Sequence, residues 1–157
     1  MPHPPVTLEF QSTLRASRTE LWNLITDITC LRKEMMPFLR MTAPRGVARL
    51  TDVQVTLGKP LFRSWILYFG ALPLDYSKVT LLSLAFEQGF VEQSPMASMR
   101  VWRHTRQILP HPEMPNALLL RDTLEFQPRF LHAFTVWFVR CFFTHRHSVL
   151  RREHGDA

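Results

Sequence analysis

The stretch Arg129 to Arg152 reads RFLHAFTVWFVRCFFTHRHSVLRR and contains neither glycine nor proline. It has room for about six to seven helical turns at ~3.6 residues each. Phe130, Phe134, Trp137, Cys141 and His145 recur every three or four residues, which predicts one shared aromatic face. Leu131, Phe138, Phe142 and Val149 form an adjoining apolar stripe, leaving Arg140, Thr144, His147 and Arg151 to water. Pro128 suits the first turn of such a helix, and Arg151 and Arg152 suit the negative end of its dipole. A helix with so wide an apolar face requires a large partner surface. The expected partner is a curved antiparallel sheet built from the rest of the chain.

The order of elements upstream supports this. Val6 to Leu14 alternates apolar and polar residues and predicts a half-buried strand. Ser17-Arg18-Thr19-Glu20 is a capping box that opens a helix through Leu21, Trp22, Ile25 and Ile28. A second short helix is expected over Leu31 to Met36, ended by Pro37. Strand-like runs follow at Arg49–Leu57, Leu61–Phe69, Lys78–Ala85 and Gln88–Ser94, with turns at Gly58-Lys59-Pro60 and Leu72–Asp75. Ala97–Leu109 and Asn116–Gln127 make the clearest hairpin, across the proline-punctuated Pro110–Pro115. Strands, two short helices and one long terminal helix indicate an α+β domain of helix-grip type: a seven-stranded antiparallel sheet around the C-terminal helix.

Composition bounds the class. At 157 residues, 46% hydrophobic and 20% charged, the chain reads as one globular domain over 1–157, with 1–5 and 153–157 as frayed tails. The net charge of +6 admits contact with anionic surfaces, yet the bases are scattered and no run of five forms a nucleic-acid arm. Cys30 and Cys141 do not make a disulfide framework, and MPHPPVTLEF is no signal peptide. His132 and Arg140 interrupt the best candidate for a membrane span. The expectation is a soluble cytoplasmic protein, with peripheral membrane contact and a homodimer left open.

Three segments carry a family resemblance: Phe90-Val91-Glu92-Gln93 with Trp102-Arg103-His104, Leu119-Leu120-Arg121-Asp122-Thr123-Leu124-Glu125-Phe126, and Phe143-Thr144-His145-Arg146-His147 with Leu150. In order and spacing the chain resembles the SRPBCC or START-like proteins, also called polyketide cyclase/dehydrase and lipid-transport-like. It departs at Glu92, where many relatives have Asp, and at Ala97-Ser98, where they have Gly-Pro. The resemblance implies a cavity between sheet and long helix that holds an apolar small molecule or lipid, without fixing a reaction.

Strand arithmetic singles out one polar group. Leu118, Leu120, Asp122, Leu124 and Phe126 share a face, so Asp122 is forced inward among leucines. A hairpin turning near Glu113 places His104 opposite Asp122, Trp102 opposite Leu124 and Arg106 opposite Leu120. A buried carboxylate needs a donor, and His104 or Arg106 supplies one. The pair reads first as a register pin or ligand-orienting group and second as a general acid–base couple. The candidate ligand-binding residues are Phe10, Trp102, His104, Arg106, Asp122, Phe134, Trp137 and Cys141; His104 and Asp122 are also the catalytic candidates. His145 and His147 point in opposite directions on a helix, and no CxxC or HExxH occurs, so neither a metal nor another cofactor is expected. The leading expectation is a non-catalytic carrier or sensor. The alternatives are a cyclase- or dehydratase-like enzyme and a basic module at membranes or nucleic acid.

Overall fold

The computed structural model describes residues 3–52 and 55–155. In chain order the elements are β1 (Val6–Leu14), α1 (Arg18–Thr26), α2 (Ile28–Met35), β2 (Leu39–Met41), a single 3-10 turn (Leu50–Asp52), β3 (Pro60–Tyr68), β4 (Leu72–Ala85), β5 (Gly89–Gln93), β6 (Met99–Pro110), β7 (Leu118–Pro128) and α3 (His132–His154). The seven strands form one antiparallel sheet in the order β1-β7-β6-β5-β4-β3-β2. The expected α+β helix-grip architecture is the one observed, with α3 packed mainly along β1 and also touching α2 and β7.

Ser17 caps α1 as expected: its side chain accepts from the Glu20 N–H and the Glu20 carboxylate accepts from the Ser17 N–H. Asp27 ends α1 and also caps α2 through the Cys30 N–H, so α2 begins three residues earlier than Leu31. The second strand is Leu39–Met41, not Arg49–Leu57. In that second segment the Asp52 carboxylate accepts from the Ala48 and Arg49 N–H groups and closes a turn, while Leu50 is buried in the core. A side chain that satisfies the backbone locally competes with sheet pairing. Val53 and Gln54 of that expected strand lie outside the described residues. The expected turn at Leu72–Asp75 is instead the start of β4; the chain reverses at Phe69 and Gly70, both with positive φ.

Two further expectations are corrected. Pro128 ends β7, opposite Met99, where a missing N–H is tolerated, and Leu131 at φ 49 starts α3 without a side-chain cap. More consequentially, α3 buries Phe142 and Val149 of the expected apolar stripe and the side beyond it, not the face led by Phe130, Phe134 and Trp137. Val139, Phe142, Phe143, Arg146, His147, Val149 and Leu150 are inside, whereas Phe134 and Trp137 are 56% and 58% exposed and Phe130 also faces water. Counting aromatic residues selected the wrong side because the buried face contains an arginine and a histidine.

The interior is layered. One apolar cluster joins Leu14, Leu21, Trp22, Ile25, Ile108, Leu120 and Leu150. A second joins Leu8, Met99, Leu124, Phe126, Val139, Phe142 and Phe143. Ser12, Arg106, Asp122, Arg146 and His147 lie between them along β1, β6, β7 and α3, all buried. The sheet passes this level closely: a Cβ on Gly89 would lie 2.0 Å from the Arg106 carbonyl oxygen, so only glycine lets β5 pair with β6 there.

Candidate ligand-binding site

Period-two alternation on β7 does bring Asp122 inside, where it is 0% exposed. The hairpin register differs by two residues from the one expected: Arg106 pairs with Asp122, His104 with Leu124 and Trp102 with Phe126. The cause is local to the connection, where the His111 ring accepts from the Glu113 and Met114 N–H groups and moves the centre of the turn from Glu113 to Met114. A shift of two keeps every side chain on its face, so both expected donors still reach the carboxylate.

Asp122 accepts four hydrogen bonds. Arg106 donates from Nε to Oδ1 at 2.7 Å and from Nη2 to Oδ2 at 2.8 Å. His104 donates from Nε2 to Oδ1 at 2.6 Å, and His147 from Nε2 to Oδ2 at 2.7 Å. Beyond His147, its Nδ1 lies 2.6 Å from the Ser12 hydroxyl, which accepts from Arg151 at 3.0 Å. On the other side Arg106 Nη1 donates to both oxygens of Glu34 at 3.2 Å, and Arg146 Nη2 donates to Glu34 at 3.3 Å. Two guanidiniums thus face two carboxylates, the balance a buried ionic layer needs.

Burial would raise the Asp122 carboxyl, but the charges and hydrogen bonds of Arg106 and His104 outweigh it and hold the group well below the usual range. Burial would likewise lower Arg106, yet Asp122 and Glu34 leave it above the ordinary arginine value. Arg146 goes the other way: burial and then the neighbouring Arg106 charge bring it down.

Beside this layer lies a cleft with a volume of about 150 Å³, bounded by α2, by strands β2 to β6 and by α3 from Thr135 to Arg146. Its wall is mostly apolar, including Leu31, Met35, Ile66, Val79, Phe138 and Val139. Polar residues also line it, among them Asp75, Glu92, Ser98, His104 and Arg146. Asp75 is occupied from within: Ser98 donates to it through both N–H and hydroxyl, and Tyr76 through its N–H. Glu92 accepts from the Trp102 indole at 3.3 Å.

Of the residues singled out from sequence, Trp102 and His104 line the cleft. Arg106 and Asp122 sit behind His104 in the sealed layer. Phe10 stacks on Phe143 and His147, with ring centroids at 5.6 and 6.0 Å. Phe134 and Trp137 point outward, and Cys141 is half-buried outside the cleft wall. His145, half-buried, donates to the Met36 carbonyl. His147, expected in solvent, is 2% exposed against Asp122. Sequence reasoning missed Glu34, Arg146, His147 and the wall of β3 and β4. One of these was hinted at: an inward Asp122 calls for donors from the facing helix, and His147 is such a donor.

Among the described residues no group of three His, Cys, Asp or Glu side chains is arranged to hold a metal, and no helix is long and apolar enough to cross a membrane. A family model described as a domain of unknown function, DUF8410, matches residues 12–154. The chain belongs to this family. No curated protein matches the sequence. Among solved structures, this DUF8410 chain is similar to protein CV1439 of Chromobacterium violaceum, at 12% identity and TM-score 0.64 over 92% of this chain and 96% of that one. It is similar to a START superfamily protein of Mycobacterium smegmatis, at 10% identity and TM-score 0.61 over 93% and 97%. It is also similar to Ara h 8.0201, at 9% identity and TM-score 0.61 over 95% and 97%. The DUF8410 chain therefore has the SRPBCC/START-like fold that its motifs resemble.

Proposed function

We propose that the protein binds an apolar small molecule in the cleft between the sheet, α2 and the Thr135–Arg146 part of α3, as a carrier or sensor that does no chemistry on it. The observation that carries this reading is the cleft itself: a space of about 150 Å³ whose wall is largely aliphatic and aromatic. Apolar walls supply affinity and a few convergent polar groups fix orientation. The volume suits a ligand of roughly single-ring size, since a dry cavity of about 150 Å³ holds benzene. The helix-grip fold shared with a START superfamily protein agrees with such a role. The test is binding of a neutral single-ring probe, benzyl alcohol, titrated by calorimetry, together with native mass spectrometry of protein purified from its own host. Saturable probe binding that is lost in Val79→Phe and insensitive to salt supports the reading; a probe that never binds sinks it.

A second reading rests on His104, which lines the cleft and donates to Asp122 at 2.6 Å. An imidazole oriented by a carboxylate has the arrangement of a general acid–base, as in a cyclase- or dehydratase-like enzyme. His104→Gln distinguishes the two: an enzyme loses turnover while probe binding stays within several-fold, and a carrier shows no turnover to lose.

A further inference from the structure

The cleft's polar groups are unequally satisfied. The acidic ones have internal donors: Asp75 takes three from Ser98 and Tyr76, and Glu92 takes the Trp102 indole. Arg146 is different. It is 3% exposed and lines the cleft, and its guanidinium is held by one bond, from Nη2 to a Glu34 oxygen at 3.3 Å. Glu34 is already engaged by Arg106 through both of its oxygens. The Nε of Arg146 is buried without a partner. Its guanidinium carbon lies 4.8 Å from the centre of the Phe143 ring and 5.6 Å from that of Phe142, so aromatic faces orient the plane without satisfying its edge. A guanidinium has five N–H donors in a rigid fork, and leaving such donors unpaired away from water is costly.

The surroundings set the sign of what is missing. The charged groups around Arg146 are Glu34 from α2, Arg106 from β6 and Asp122 from β7, with His104 and His147 both closed on Asp122. Asp122 is saturated by its four bonds, and Glu34 is divided between two arginines. Burial and the Arg106 charge disfavour the Arg146 cation, and a second anion at that point would relieve both.

We infer that Arg146 is the recognition group of the cleft and that the ligand is a small aromatic or aliphatic carboxylic acid, its carboxylate against the guanidinium and its apolar body along Val139, Ile66 and Val79. This rests on the ligand-binding role proposed above. A planar carboxylate matches the fork of an arginine in shape as well as charge. A phosphate, more highly charged and more strongly hydrated, costs more to bring into so apolar a cleft.

The experiment uses three compounds of matched size, titrated by calorimetry: phenylacetate, phenylacetamide and phenethylamine. Phenylacetate is expected to bind about tenfold more tightly than the amide, and the amine most weakly. Arg146→Gln should erase the roughly tenfold preference, bringing phenylacetate down to the affinity the same variant has for the amide. Thermal unfolding of the variant checks that it folds. Should it fail to fold, the wild type alone decides: the preference for the acid must fade as the pH falls through the ligand's own carboxyl range, ~4 to 5. Equal binding of acid and amide in the wild type, or a preference that survives Arg146→Gln, overturns the inference and leaves the ligand-binding role standing. If none of the three binds, both fall.

Discussion

The buried ionic layer and the cleft adjoin one another and obey opposite rules. In the layer, Asp122 has four donors and no access to water. In the cleft, space of about 150 Å³ is left open against an arginine with an unpartnered nitrogen. A saturated carboxylate does structural work, because adding a ligand there means breaking a bond already made. An unsaturated donor beside a void is where a ligand gains something. On this contrast the couple His104–Asp122 is read mainly as architecture, and the proposed site is displaced toward β3, β4 and α2.

If this contrast is right, the largest effect comes from removing Asp122. Asp122→Ala strands one arginine and two histidines, and a loss of about 3–5 kcal/mol in urea unfolding is expected, as for a broken buried ion pair. A loss below about 1 kcal/mol would mean that the layer is wetter than its burial implies. Phe143→Ala, inside the second apolar cluster, should cost a comparable ~3–5 kcal/mol.

Acid sharpens the same point. The native Asp122 pKa lies well below its unfolded value, so its contribution to stability is complete above the unfolded pKa of ~3.9 and is lost as pH falls toward the native one. Asp122→Asn should therefore flatten the fall in stability below about pH 4 while leaving the slope above it unchanged. In the cleft, Val79→Phe should abolish probe binding at a cost under ~1.5 kcal/mol, because the added ring enters existing space. The smallest effect belongs to Trp137→Ala, on the outer face of α3: a change within ±0.5 kcal/mol in the same unfolding measurement.

The position of Trp137 shows how far the sequence could be read. Six of the seven strands, the capping box at Ser17 and the inward direction of Asp122 follow from local rules: period two, side-chain capping and the need to satisfy a buried charge. The buried face of α3 did not follow, because Phe130, Phe134 and Trp137 look like core by composition and Arg146 and His147 look like surface. Only the partner surface decides between them, and that surface carries Asp122 and Glu34. The β6–β7 register was missed for a smaller reason, a histidine ring closing the turn one residue later. Glu34 was invisible, since a lone glutamate on a short helix has no pattern to betray its partners.

Glu34 also has a mechanical consequence. It extends from α2, whose neighbours Ile28, Leu31 and Met35 form one side of the cleft, and it is clamped by arginines from β6 and α3. The short helix is thereby braced like a door jamb, its hydrophobic edge fixed by an ionic bolt set in the opposite wall. A guest that drew Arg146 away from that bolt would loosen the jamb as it settled, so occupancy and the width of the opening are tied to a single glutamate.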